Sequence, residues 1–148
     1  MKRFIAPLLA AGLLAVIATP GVWAKSSGAV TLHATLTGAG EAPAKGDTHG
    51  SGTATVSLTL AKNKVCFSIS VKGIKLPAAF AHIHSGHAGK AGPIVVPLTA
   101  PAKNGRSVGC KSGVASSLIK AISGHPSSYY VNVHTTTFPG GAVRGQLH

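Results

Sequence analysis

Three histidines carry the chemistry most plainly available to this chain. His82 and His84 sit two apart in Ala81-His82-Ile83-His84-Ser85, and His134 closes the run Tyr130-Val131-Asn132-Val133-His134. Side chains two apart on an extended strand point to one face. His82 and His84 therefore share a face with Phe80, and Tyr130, Asn132 and His134 share a face of theirs. If the two strands are neighbours, the three imidazoles converge. Neutral imidazoles suit copper or zinc. Three histidines with an open position make a catalytic type of metal site, and a fourth ligand would close a structural one. The same residues also fit a polar cluster without metal, in which His82 or His134 donates to a backbone carbonyl or to Glu41. His87 is a further ligand candidate in the loop beyond, whereas His33, His49 and His125 have no partner motif, and His148, at the chain's end, is expected to be mobile.

The elements that must position these residues are strands. Val30 to Thr37 sets Val30, Leu32, Ala34 and Leu36 against Thr31, His33 and Thr35, and Thr53 to Leu60 repeats the pattern. Val65, Phe67, Ile69 and Val71 give a third alternating set after a short Lys62-Asn63-Lys64 connection, which reads as a hairpin. Such alternation marks sheets with one buried and one wet face. Ala79 to His84, Pro93 to Leu98, Ser128 to Thr135 and Ala142 to His148 supply further strands. One helix of about two turns is expected near Gly113–Ser123, where Val114, Leu118, Ile119 and Ile122 fall at helical spacing. Gly38 to Gly52 is polar and glycine-rich, a long loop. The fold class is all-β: an antiparallel β-sandwich or Greek-key barrel with one short helix.

Residues 1–24 read as a signal peptide. Lys2 and Arg3 precede an apolar run from Phe4 to Ala18, and Val22-Trp23-Ala24 fits a cleavage site before Lys25. The mature chain, 25–148, has no apolar run long enough to cross a bilayer and forms one domain. Localisation is then outside the cytoplasm, periplasmic or secreted. In an oxidising compartment the two cysteines, Cys66 and Cys110, are expected to pair. The bridge would close a loop of about 45 residues and stabilise by ~2–4 kcal/mol.

The formal charge is +12, with only Glu41 and Asp47 acidic. The cations are scattered singly and no nucleic-acid motif accompanies them, so nucleic acid is not a partner. An anionic envelope polymer or an extracytoplasmic protein is a candidate partner, because a basic surface attracts polyanions at long range; the alternative is a merely solvated cationic surface. Hydrolytic chemistry lacks its parts. Two acids leave no paired-carboxylate scheme, and there is neither a Gly-x-Ser-x-Gly elbow nor a phosphate-cradling loop.

Four motifs occur in order: Gly38-Ala39-Gly40-Glu41-Ala42-Pro43, the histidine segment Ala81 to Gly86, Gly89 to Leu98 (GKAGPIVVPL) and Tyr129 to Leu147 (YYVNVHTTTFPGGAVRGQL). Together they resemble the CHRD domain, a module first described in chordin and also found alone in bacterial exported proteins. The resemblance spans residues 25–148 and implies a β-fold and an extracytoplasmic address rather than a mechanism. Ala142 stands where that family often has an acidic residue, so a role needing that carboxylate is missing. The His-x-His plus a distant His is also similar to copper-zinc superoxide dismutase, although that enzyme's bridging His and zinc-binding Asp have no counterparts here. The reading that follows is a binding or structural module rather than an enzyme. His82, His84 and His134 are candidate metal ligands beneath the Gly86–Gly92 turn, with Glu41, Asn132 and Arg144 in support. A Glu41–Arg144 ion pair is expected to tie the first loop to the last strand. The alternatives are a copper or zinc protein, with superoxide chemistry as one option, and an envelope polyanion binder.

Overall fold

The computed structural model describes residues 28–148; the expected signal peptide lies outside them. Eight strands form one sheet: β1 (Val30–Thr37), β2 (Ser51–Thr59), β3 (Lys64–Lys72), β4 (Phe80–Ser85), β5 (Ile94–Leu98), β6 (Arg106–Ser112), β7 (Tyr129–His134) and β8 (Val143–Gln146). Their order is β5-β4-β7-β8-β1-β2-β3-β6, and every neighbouring pair is antiparallel. The sheet curls until β5 and β6 approach each other, and Ser107 Oγ donates to the Thr99 carbonyl at 2.7 Å across the gap. The result is a nearly closed barrel, as the alternating patterns foretold.

The barrel interior takes the apolar half of each alternation. Leu32 and Leu36, Val56 and Leu58, Phe67 and Ile69, Ile83, Val96, Val131, Val133 and Val143 are all buried. Burying each such side chain contributes roughly 1.5–3 kcal/mol. Helix α1 (Ser116–Gly124) turns Ile119 and Ile122 into this core, close to the expected segment. The β2–β3 connection is a 3-10 turn ending at Asn63 in the left-handed region, φ 47°, a conformation that asparagine adopts more readily than most residues.

Strand β6 is absent from the sequence reading for a physical reason. Its one large apolar residue, Val108, is 77 % exposed, while Ser107 is buried. The alternation therefore runs with the wrong polarity and gives no apolar stripe. The bridge Cys66–Cys110 joins β6 to β3 at directly opposed positions, with Cα atoms 3.9 Å apart. His148 is not a loose end: its backbone exchanges two hydrogen bonds with His33, at 2.9 and 3.0 Å.

Candidate functional site

The histidines occupy the outer face of the barrel, opposite the apolar core. Register makes this unavoidable. Phe80 faces His134, His82 faces Asn132, and His84 faces Tyr130 across β4 and β7. Asn132 faces Arg144, and Tyr130 faces Gln146, across β7 and β8. Directly opposed residues of an antiparallel pair share a face. One polar layer therefore runs across three strands while Ala81, Ile83, Val131, Val133 and Val143 pack inside.

Loops cover this layer. Tyr130, Asn132, His134 and Arg144 are all buried, so β7 is closed to water on both faces. Arg144 builds much of the cover. Its guanidinium donates to the carbonyls of Lys90 (2.9 Å) and His87 (2.8 Å) and to Gln146 Oε1 (3.0 Å), and it lies 3.4 Å from the centre of the Tyr130 ring. Gln146 adds bonds to the carbonyls of Gly86, Ser127 and Tyr129. Together they fasten residues 86–92 over the sheet. Gly92 is the latch. It returns so close to the Ser85 carbonyl that a Cβ there would collide with it. Its N–H donates to Tyr130 Oη at 3.2 Å, and its carbonyl accepts from His84 Nδ1 at 2.9 Å.

The three imidazoles come together. Ring centroids lie 5.5 Å apart for His82 and His84, 5.1 Å for His82 and His134, and 6.0 Å for His84 and His134. One nitrogen from each lies within 4.8 Å of the others. His134 Nδ1 bonds to the Pro139 carbonyl at 2.9 Å, as His84 Nδ1 does to Gly92. A carbonyl can only accept, so both rings carry their proton on Nδ1 and leave Nε2 as a lone pair. Those two Nε2 atoms and His82 Nδ1 are buried without a hydrogen-bond partner. Buried polar atoms are seldom left so, and three come together here in one cluster that could hold a cation.

Electrostatics favour the neutral forms of His82 and His84. Burial, followed by the neighbouring His134 and His84, pushes His82 down to about 4. Burial likewise lowers His84, against the opposing pull of its bond to Gly92. Phe80 stacks on His82 with centroids 6.1 Å apart and is 63 % exposed. The layer thus grades from buried at His84 to wet at Phe80, and His82 is its half-buried rim.

Glu41 stands apart from the triad. It accepts from Asn132 Nδ2 at 3.3 Å and packs against Gly141, whose φ of 139° and lack of Cβ leave room for the carboxyl group. Burial outweighs the attraction of Arg144 and the Asn132 bond and raises Glu41 to about 7. The expected Glu41–Arg144 ion pair is not formed: the sole acid–base contact within salt-bridge distance among the described residues is His49 with Asp47 at 3.8 Å. Arg144 spends its donors on loop carbonyls instead. His87 is exposed and contributes its carbonyl, not its ring. Ala142 is wholly buried, and the carboxyl group beside it comes from Glu41 across Gly141. Sequence reasoning missed the supports: Tyr130, Gln146 and the carbonyls of Gly92 and Pro139. Tyr130 and Gln146 share the period-two face of His134 and Arg144, a signal sufficient to have found them; backbone carbonyls leave none.

The CHRD domain family matches residues 32–147, nearly all of the described chain, and the protein belongs to that family. Among curated proteins, no match to the chain is found.

Proposed function

We propose that this CHRD domain is an extracytoplasmic binding module whose ligand is a borderline transition-metal ion, copper or zinc, held by His82, His84 and His134. The observation that carries this reading is the convergence of one nitrogen from each of the three rings, in a cluster where His82 Nδ1, His84 Nε2 and His134 Nε2 all lack a hydrogen-bond partner. Two of the rings are already oriented through their far nitrogens by backbone carbonyls, the outer arrangement that metal-binding histidines characteristically use. Bound there, copper or zinc would supply a Lewis acid, and copper also a redox centre. The chain's own backbone orients the rings of His84 and His134, and burial favours the neutral forms of His82 and His84. Periplasmic or secreted localisation is supported by the Cys66–Cys110 bridge, which persists in oxidising compartments, and by the leader-like residues 1–24.

The test is metal titration of untagged protein, read by elemental analysis and competition with a chelator. His134→Ala should weaken binding by about a hundredfold or more, since a ligand matters at least as much as its outer partners, whereas His148→Ala should leave it unchanged. Proton competition should set in below the ordinary histidine range of about 6.5, because His82 is already depressed to about 4. Equal binding by wild type and the triple alanine variant would reject the reading.

A second reading, attachment to an anionic envelope polymer, is favoured by the opposite side of the barrel. Thr35, Thr53 and Ser70 line up with Arg106 across four strands, as His33, Thr55 and Ser68 do with Val108. Lys64 and Lys72 lie at the ends of β3, and both acids lie elsewhere, in the loop after β1. Retention on an anionic polymer resin should fall as salt rises from low to physiological strength, where the screening length drops to about 8 Å. Retention that salt does not alter would remove this option.

A further inference from the structure

The two edges of the sheet are not equivalent. Strand β5 carries Pro97 near its end and follows Pro93, and a proline removes the N–H that an added strand would need. Strand β6 has no proline. Its Arg106 carbonyl accepts from Ala102 N–H at 3.0 Å on the side away from β3. Backbone groups of alternate residues in an antiparallel strand point to the same side, so those of Val108, Cys110 and Ser112 also face the free edge. None of the described backbone bonds outside the ladders uses them.

Three further features set this edge apart. The bridge from Cys110 to Cys66 rivets β6 to β3, so the edge is held in strand geometry before anything binds, which reduces the ordering cost of association. A groove of about 300 Å³ runs beside it, lined by Phe67, Pro97, Leu98, Thr99, Cys110 and Lys111. Its charges are of one sign: β6 contributes Arg106 and Lys111, while Glu41 and Asp47 sit in the loop after β1.

We propose that β6 is a docking edge for an extended peptide of alternating apolar and acidic residues on a partner protein. The peptide pairs with the free backbone groups of Val108, Cys110 and Ser112. Its apolar side chains fill the groove over Phe67 and Leu98, whose rim carries Lys111, and its acidic ones lie on the outer face of β6, where Arg106 pairs with Ser70. Main-chain bonds supply affinity and the alternate side chains supply specificity, as in other strand-addition complexes. The Ser107–Thr99 bond closes one end of the seam, so the strand enters from the Ser112 end.

The test uses the intact oxidised protein with capped peptides of about six residues, alternating Glu with Val or Lys with Val, a length that strand addition can hold. Fluorescence anisotropy reads affinity, and amide hydrogen exchange reads the edge. The Glu peptide should bind at least about tenfold tighter than the Lys peptide, with a preference that salt erodes, and should protect the Val108 and Cys110 amides. Val108→Pro should weaken binding about tenfold or more, since it deletes an outward N–H. Its melting temperature should stay near wild type, because that N–H lies outside the β3 ladder. Should the proline variant fold poorly, Arg106→Glu keeps the test open by shrinking or inverting the charge preference. Equal affinity for the two peptides, binding untouched by Val108→Pro in a folded variant, or unchanged charge preference in Arg106→Glu would overturn the proposal. So would edge protection that needs no peptide and follows a concentration-dependent dimer, since a second copy would then be the occupant.

Discussion

The two halves of this barrel obey the same period-two rule with opposite outcomes on the outer face. In β1, β2 and β3 the outward residues are Thr31, Thr35, Thr53, Ser57 and Ser68, all facing water or nearly so. In β7 and β8 the outward residues are Tyr130, Asn132, His134 and Arg144, and all are buried. One half needs nothing from its outer face except solubility. The other pays twice for desolvating polar groups, since His82, His84 and Glu41 are all shifted toward their neutral forms by burial. A fold does not require that expense, because the first half shows the same sheet standing without it. Buried polar groups on the side away from the core therefore mark where the molecule does something other than fold.

That contrast is sharpest for side chains that a sequence view would treat alike as outward and polar. Arg144→Met should cost about 3 kcal/mol, because the carbonyls of His87 and Lys90 and the Gln146 amide oxygen lose their donor in a buried setting, each worth ~1–3 kcal/mol when left unsatisfied. Thr55→Val removes only a 3.3 Å contact to His33 Nδ1 on the exposed face and should fall within ~0.5 kcal/mol. Chemical denaturation of both variants measures the difference directly. Similar losses would mean that the two outer faces are energetically equivalent, and the distinction drawn here would fail. The arginine variant should also loosen residues 86–92 and with them the Gly92 carbonyl that orients His84, so amide exchange at Gly92 should quicken.

How far the sequence carried this picture follows from the same contrast. Alternation located β1, β2 and β3 almost residue by residue because water on one face and core on the other impose opposite residue types. It located β4, β7 and β8 as well, and by placing His82, His84 and His134 on shared faces it anticipated their convergence. It failed at β6, where Val108 faces water and Ser107 faces in, so composition misreports burial. It also failed on the partners of Arg144. A lone Glu and a lone motif Arg invite an ion pair, but a guanidinium has five donors, and two closely placed loop carbonyls serve it better than one distant carboxylate. The acceptors that orient the histidines are backbone atoms of Gly92 and Pro139, which no residue type announces.

The effect that depends on pH is the most diagnostic of what the buried half tolerates. Glu41 is raised to about 7 chiefly by burial, so the folded protein holds a proton there more tightly than the unfolded chain, whose carboxyl titrates near the ordinary glutamate value of about 4.3. Between those values the folded state binds the extra proton, and by linkage stability falls as pH rises through the window. The contribution is fully present below the unfolded value and lost above about 7. The histidines act in the opposite sense. His82, lowered to about 4, lets the unfolded chain take up protons first, so its effect erodes stability as pH falls from about 6.5 toward 4. Glu41→Gln copies the protonated form and keeps an oxygen for the Asn132 amide. It should therefore raise the melting temperature at pH 8 relative to wild type by several degrees, and change it little at pH 5, where wild-type Glu41 is itself protonated. A variant that instead loses stability at pH 8 would show that the attraction of Arg144 outweighs burial. The polar layer would then be held together by charge rather than merely enduring it.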